Sequence, residues 1–327
     1  METREQRRVM IVTHCLLTVS QAPEGNSGII GRVSTAEFIA PGQEPSGQEP
    51  PVVSGTTKVH IIRAGPDSHV DKEDRVAVEA PLEYMLHHPA LGLEPMSFGT
   101  TMRTPGDDEN LAVGLLYGEG IIDKPADIDV VESSTRRPNV VNVRLRAQVP
   151  MEMQMATRRF SAGSSCGVCG TTGLDAAIAR AAASRIGGAR VLDLGLLLAL
   201  PARMRAAQSK FSGTGGIHAS ALFDYSGRLI SVAEDVGRHN AFDKLIGESL
   251  QAGRLPLEDH LILLSGRASF ELVQKALRAG VSVLAAIGAP SSLAVNLAVA
   301  AGLTLVGFLK EKHCNVYSNP QRLRSSA

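Results

Sequence analysis

From residue 261 onward, continuous apolar runs alternate with segments whose apolar residues recur every three or four positions. Leu261–Leu264, Val281–Ile287 and Leu303–Phe308 are runs of strand length, and Phe270–Arg278 and Leu293–Ala301 between them carry a helical period. A strand that is apolar at every position must be covered on both faces, so this alternation predicts parallel βαβ units. Upstream, Ile217–Phe223 and Leu229–Val232 flank Asp224-Tyr-Ser-Gly227 and predict a hairpin. In the first half, Val141, Val143 and Leu145 alternate with Asn142, Arg144 and Arg146, the period of a half-buried strand. Leu111, Ala112, Leu115 and Leu116 predict a helix ending near Gly118. Thr104-Pro-Gly-Asp107 supplies its cap and turn, and Asp107, Asp108 and Glu109 sit at its positive end. Lys58–Arg63 and Arg75–Ala80 read as short strands joined through Asp71-Lys-Glu-Asp74, and Leu174, Ala177, Ile178, Ala181, Ala182 and Ile186 trace one helical face after a Thr172/Asp175 capping pair.

These elements divide the 327-residue chain into a tail or linker at 1–57, a small α+β domain at 58–155 and a larger domain at 156–327. Residues 20–57 are rich in Gly, Pro, Ser and Gln and hold the near-copies Gly42-Gln-Glu-Pro45 and Gly47-Gln-Glu-Pro50, a composition unable to bury a core. No long-period repeat is visible. Met1–Arg8 is basic and Val9–Val19 mostly apolar, as in a short signal peptide, but Thr13 and His14 interrupt the run and no A-x-A site follows. A disordered tail, or a start codon chosen too far upstream, is the preferred interpretation.

Charge narrows the functional classes. Lys+Arg and Asp+Glu both number 33, there is no Trp and aromatics make up 4%, so neither a basic footprint nor base-stacking platforms point to nucleic acid. No run approaches the roughly 20 apolar residues of a membrane span. Four cysteines, Cys15, Cys166, Cys169 and Cys314, are too few to staple a chain of this length, which fits a reducing, cytoplasmic compartment.

Three clusters carry candidate chemistry. Ser165-Cys-Gly-Val-Cys-Gly170 places two thiols within exchange distance ahead of a predicted helix start, where the dipole favours the reactive thiolate. By itself such a pair fits a structural zinc half-site, a redox couple, a sulfur carrier or coincidence. A closed zinc site lacks a second ligand pair, and His218-Ala-Ser220 lacks the Glu of a zinc deaminase. Glu234-Asp-Val-Gly-Arg-His-Asn-Ala-Phe-Asp-Lys244 falls where a strand feeds a helix. It reads either as a ligand site or as a plain helix start, with Asp235 as cap and Asp243 and Lys244 solvated. Ser265-Gly-Arg-Ala-Ser269 repeats the arrangement as a phosphate-loop candidate. Phe308-Leu-Lys-Glu-Lys-His-Cys-Asn315 follows the last strand, as a solvated loop or a polyphosphate contact.

Arg75-Val-Ala-Val-Glu-Ala-Pro-Leu82, Met102-Arg-Thr-Pro-Gly-Asp-Asp108, Gly118-Glu-Gly-Ile-Ile122, Cys166-Gly-Val-Cys169-Gly, Glu234–Asn240, Leu264–Ser269 and Leu303–Phe308 together resemble the FdhD family, the formate dehydrogenase accessory sulfurtransferases. The resemblance spans about residues 58–323. It implies a cytidine-deaminase-like three-layer C-terminal domain with a mixed sheet, a smaller N-terminal α+β domain and a homodimer. It also implies a persulfide relay, in which a cysteine desulfurase loads sulfur onto Cys166, with Cys169 as its partner. The acceptor is a bound molybdenum bis(molybdopterin guanine dinucleotide), which a guanine nucleotide partly mimics, and the client is the formate dehydrogenase catalytic subunit. The family's cofactor segment falls on Phe308, Leu309, Lys310, Glu311, Lys312 and His313, and no resident metal is expected. Glu311 and Lys312 stand where relatives often carry Gly or Arg, and Lys in place of Arg gives up bidentate phosphate contact. A chaperone that only binds the cofactor and the apo-formate dehydrogenase, without sulfur chemistry, is the alternative; in it Cys166 and Cys169 are dispensable or metal-bound.

Overall fold

A computed structural model describes residues 55–150 and 190–325. The first element is an antiparallel ribbon of β1 (Thr56–Gly65) and β2 (Ser68–Ala77). Its turn is Pro66-Asp67, not Asp71–Asp74, which lies inside β2 opposite Val59–Ile62. Most of the ribbon is solvated on both faces, so no hydrophobic alternation marks its register in the sequence.

A four-stranded sheet follows, ordered β4-β3-β6-β5, from β3 (Ala80–His87), β4 (Met96–Arg103), β5 (Ile128–Ser133) and β6 (Val140–Leu145). β6 keeps the expected alternation, with Val141, Val143 and Leu145 buried and Arg144 exposed. Helix α1 (Asp108–Gly118) ends where its period predicted. Asp107, however, is no side-chain cap: it occupies the left-handed region at φ 57° and makes no capping hydrogen bond.

The second half begins with β7 (Leu192–Asp193), α2 (Leu194–Ala207) and the short α3 (Ser209–Thr214). Then come the hairpin β8 (His218–Asp224) and β9 (Leu229–Asp235), α4 (Arg238–Gln251), β10 (His260–Leu264), α5 (Phe270–Arg278), β11 (Val283–Ala286), α6 (Ser292–Ala301) and β12 (Thr304–Gly307). β13 (Asn315–Val316) and β14 (Leu323–Arg324) close the chain. The main sheet is ordered β13-β12-β11-β10-β8-β9, with β10, β11 and β12 parallel and β8 and β13 antiparallel to their neighbours. The architecture is therefore α+β with a mixed sheet. The side-chain period of two divides that sheet between two cores. Ala221, Phe223, Leu261, Leu263, Val283, Ala285 and Val306 pack with Leu197, Leu200 and Met204 of α2. Leu222, Ile262, Leu264, Leu284, Ala286 and Leu305 share the larger cluster with α4, α5 and α6.

That larger cluster also takes in α1 and the inner face of the four-stranded sheet. Helix α1 is buried on most of its circumference, and its crossing with α4 depends on two glycines. A Cβ on Gly114 would lie 1.8 Å from the Asp243 carbonyl oxygen, and one on Gly247 1.9 Å from that of Asn110, so the two backbones touch. No helix among the described residues is long and apolar enough to cross a membrane. The helix predicted over 174–186 and the Cys166/Cys169 pair lie outside the described residues.

Candidate functional site

Two regions concentrate the polar residues singled out in the sequence. The first is a joint between the end of β4 and the start of α4. Lys244, predicted to be solvated, is 1% exposed and sits 2.8 Å from Asp235, which is 0% exposed. Its Nζ also donates to the Thr104 carbonyl at 2.8 Å. Asp235 accepts from the N–H groups of Thr104 (3.1 Å) and Gly237 (2.9 Å) and from Asn240 Nδ2 (3.0 Å), while the Val236 N–H donates to Thr104 Oγ1 at 3.1 Å. The α4 cap position is Gly237; Asp235 lies at the end of β9, and its carboxylate ties the segment after β4 to the start of α4. Arg103 grips Asp108 with two bonds of 2.9 and 2.7 Å beside this network. Asp243 is buried as well, paired with Lys275 at 2.7 and 2.8 Å. Burial works against the Lys275 ammonium, but Asp243 and Glu271 outweigh it and hold the group charged. Once its partners are in place, the sequence cluster 234–244 is thus largely a buried structural joint.

The second region is a cleft of about 1000 Å³ along one edge of the main sheet. Ser265 and Ile287, just after β10 and β11, line it with His218 at the start of β8 and Val236 just past β9. Because β8 is antiparallel to β10, its first residue and the carboxyl ends of the parallel strands meet on this edge, where open α/β sheets bind ligands. The opposite wall is the α2–α3 corner, with Met204, Arg205, Gln208, Phe211 and Ser212. Glu234 orients that wall: its carboxylate accepts from the N–H groups of Lys210 (2.9 Å) and Phe211 (2.8 Å) at the start of α3. Burial and the nearby Arg238 charge lower the His218 pKa against the opposing effect of Asp235. His239 is pulled to about 4 by burial, despite Glu271. Its Nε2 lies 3.2 Å from Ser269 Oγ and 3.4 Å from Glu271 Oε2.

The loops after β10 and β11 join each other backbone to backbone. Gly288 N donates to Gly266 O at 2.9 Å and Ala268 N to Ala289 O at 3.2 Å, and a Cβ on Gly288 would come within 2.9 Å of Gly266 O. Ser269 and Ser291 cap α5 and α6, and Ser265 Oγ accepts from the Ala219 N–H at 2.8 Å. With those hydroxyls committed, the Ser265–Ser269 loop is a structural joint more than a phosphate cradle, and Arg267 is left exposed.

The segment 308–313 hangs from the end of β12 beside this edge. Phe308 is 42% exposed and held at φ 49°, a left-handed conformation costly for a bulky residue, by an N–H bond to Gly288 O at 3.1 Å. Leu309 is fully buried in the α2-side core, and Lys310 N donates to His313 O at 2.9 Å, closing a turn. Lys310, Glu311, Lys312 and His313 are exposed, and of the six segment residues Glu311 lines the cleft. Cys314 is half-buried, and burial pushes its thiol pKa up. Gln208, Arg205 and Phe211 carried no expectation from the sequence: Pro201 interrupts the apolar pattern of α2, and nothing local signals that an amide at its end will be buried.

The chain is thus of the α+β class, with a cleft at the carboxyl edge of a mixed sheet; homology narrows it. The FdhD/NarQ family model matches residues 81–324, and the chain belongs to that family. A sulfur carrier protein FdhD from Nocardia farcinica is 43% identical over 279 residues, covering 83% of this chain and 95% of the relative. One from Streptomyces avermitilis is 44% identical over 277 residues, covering 82% and 95%. A Sulfolobus acidocaldarius sulfur carrier protein FdhD is 39% identical over 266 residues, covering 81% and 98%. The crystal structure of a candidate formate dehydrogenase accessory protein from Desulfotalea psychrophila superposes with a TM-score of 0.62 over 82% of this chain and 99% of its own. At 23% identity, that likeness speaks for the fold alone.

Proposed function

We propose that the chain is a sulfur carrier in formate dehydrogenase maturation, moving persulfide sulfur from a cysteine desulfurase to a molybdenum bis(molybdopterin guanine dinucleotide) held in the cleft. The supporting observation is the cleft itself, which unites the edge formed by β8, β10 and β11 with Glu311 of the segment 308–313. Identity above 40% to sulfur carrier proteins across most of the chain, together with the intact Cys166-Gly-Val-Cys169, supports the sulfur chemistry.

The cofactor is cargo, and its metal is the sulfur acceptor. In loading, the Cys166 thiolate attacks the terminal sulfur of the donor persulfide, the donor S–S bond breaks and the donor cysteine leaves as thiolate. In release, the Cys169 thiolate attacks Cys166 Sγ and the persulfide S–S bond breaks. Sulfur departs at the sulfide level, and the two electrons come from the thiols, which end as a disulfide. Among the cleft residues, His218 is held largely neutral at pH 7 and so offers a hydrogen bond without adding charge.

Intact-protein mass spectrometry after incubation with a cysteine desulfurase and cysteine tests the relay. A reductant-labile added sulfur on wild type and Cys169→Ser, absent from Cys166→Ser, is the expected result. No added sulfur on any variant would overturn it and leave a cofactor-binding chaperone.

A further inference from the structure

The β1–β2 ribbon has an open edge. Its pairing runs without a bulge, and among the described residues no strand lies beyond β2. An isolated two-stranded ribbon is marginal in water, and a long regular edge is a template for another strand. Val70 (53% exposed) and Val76 (41%) stand in solvent at the two ends of Val70-Asp-Lys-Glu-Asp-Arg-Val76, the central stretch of β2. The Val78 N–H donates to Gly55 O at 2.9 Å. The alternation of an antiparallel ladder then turns the N–H and C=O groups of Asp71, Glu73 and Arg75 away from β1 and onto the open edge. The charges there are not matched within the ribbon. Arg75 lies opposite Lys58, a like charge, and Lys58 is engaged by Glu73 at 2.8 Å. Asp71 has the exposed His60 at 3.9 Å, and Lys72 and Arg75 are in no ion pair among the described residues.

We propose that this edge of β2 pairs with the same edge of a second copy, antiparallel and in register about Glu73, joining two ribbons into one four-stranded sheet ordered β1-β2-β2-β1. The sequence is self-complementary in that register: Val70 meets Val76, Asp71 meets Arg75 and Lys72 meets Asp74, each pair occurring twice about the two-fold axis. The backbone agrees, because Asp71, Glu73 and Arg75, all facing outward, fall at hydrogen-bonded sites and together exchange about six bonds. Arg75 gains the acid that its own ribbon denies it, and Val70 and Val76 cover each other at the closer, non-hydrogen-bonded sites. Glu73 meets its own counterpart on the axis, and each keeps its Lys58. A strand from another protein has no reason to present this order of charges, and each mismatch sets like against like. The homodimer implied by the family resemblance leaves its contact surface open; the ribbon fixes an edge, a register and the residues, and none of this rests on sulfur chemistry.

Sedimentation velocity of the full chain tests it with two charge reversals. Asp71→Arg sets cation against cation across the axis and Arg75→Asp sets acid against acid, so each variant alone should dimerise about tenfold or more weakly than wild type. Mixed one to one, the two variants are complementary at both positions and should associate within about threefold of wild type. The double variant Asp71→Arg/Arg75→Asp carries the exchanged pair in one chain and should recover likewise. Glu73→Cys, oxidised with copper phenanthroline, should form a disulfide to its own counterpart, since a hydrogen-bonded pair sets the Cα atoms about 5.5 Å apart. Peptide mass mapping separates that bridge from any through the native cysteines, and melting curves establish that each variant is folded. A dimer that both reversals leave intact means that the copies meet elsewhere and overturns the pairing. A wild type that stays monomeric leaves the edge to some other strand and overturns it too, as does a mixture that fails to recover. Sulfur loading of Cys166 on the same samples tests the sulfur-carrier function separately.

Discussion

The β4–α4 joint and the cleft are both rich in charged and amide side chains, and they differ in how many of those groups have partners. In the joint, Asp235 is saturated by Thr104, Gly237, Asn240 and Lys244, and Arg103 is spent on Asp108, with Arg238 Nε at the start of α4 the exception that finds no partner among the described residues. In the cleft, Gln208 Nε2 has no partner among the described residues, while Lys310, Glu311 and Lys312 on the adjoining turn stand in solvent. A saturated buried network holds elements of the fold together, and its groups have little left to offer a ligand. An unsaturated wall has donors to spare. Density of polar motifs in a sequence therefore marks a place where the chain must satisfy them, which need not be a binding site.

This contrast can be broken experimentally, beginning with the joint. Lys244→Met leaves Asp235 buried without its cation and should cost about 3–5 kcal/mol, read as a lower urea midpoint. The double variant Lys244→Met/Asp235→Asn should recover part of that loss, and no recovery would mean that the pair is not the unit that matters. Next in size is the helix crossing. Gly114→Ala forces a Cβ against the Asp243 carbonyl and should cost about 2–3 kcal/mol, whereas Gly213→Ala, with open space around it, should leave the midpoint nearly unmoved.

A smaller effect comes from His239, whose folded pKa is about 4 against 6.5 for the free side chain. As pH falls through 6.5 the unfolded chain takes up this proton and the folded chain does not, so stability should drop down to about pH 4. His239 should account for on the order of 1–2 kcal/mol of that drop, and His239→Gln should flatten the profile between those limits; an unchanged slope would show that other groups set it. The smallest expected change has the opposite sign. Gln208→Leu removes a buried amide whose Nε2 has no partner among the described residues and should raise stability by up to about 1 kcal/mol, and a marked destabilisation instead would mean that the amide is satisfied within the fold.

Much of the second half was legible because local signals and tertiary context agree there. Phe270–Arg278 is a helix as its period predicts, with Ser269 as a cap, and the three apolar runs became β10, β11 and β12. The ribbon was misread at Asp71–Asp74 because a strand solvated on both faces carries no alternation. Strands β3, β4 and β5 passed unpredicted, and α2 was hidden by Pro201. Asp243 and Lys244 look like ordinary surface charges until Lys275 and Asp235 arrive from elsewhere in the fold.

What the sequence determined alone is the chemistry available: a thiol pair at Cys166 and Cys169, an alternation that forces a parallel core, and motifs sufficient to mark the family. What only the tertiary structure decided is which polar groups are used up. Thr104 meets Asp235 across 131 positions and Lys275 meets Asp243 across 32, while Gln208 is brought to the wall of a cleft with no acceptor for its Nε2 among the described residues. Hydrogen-bond saturation depends on neighbours distant along the chain, and local periodicity carries no record of them.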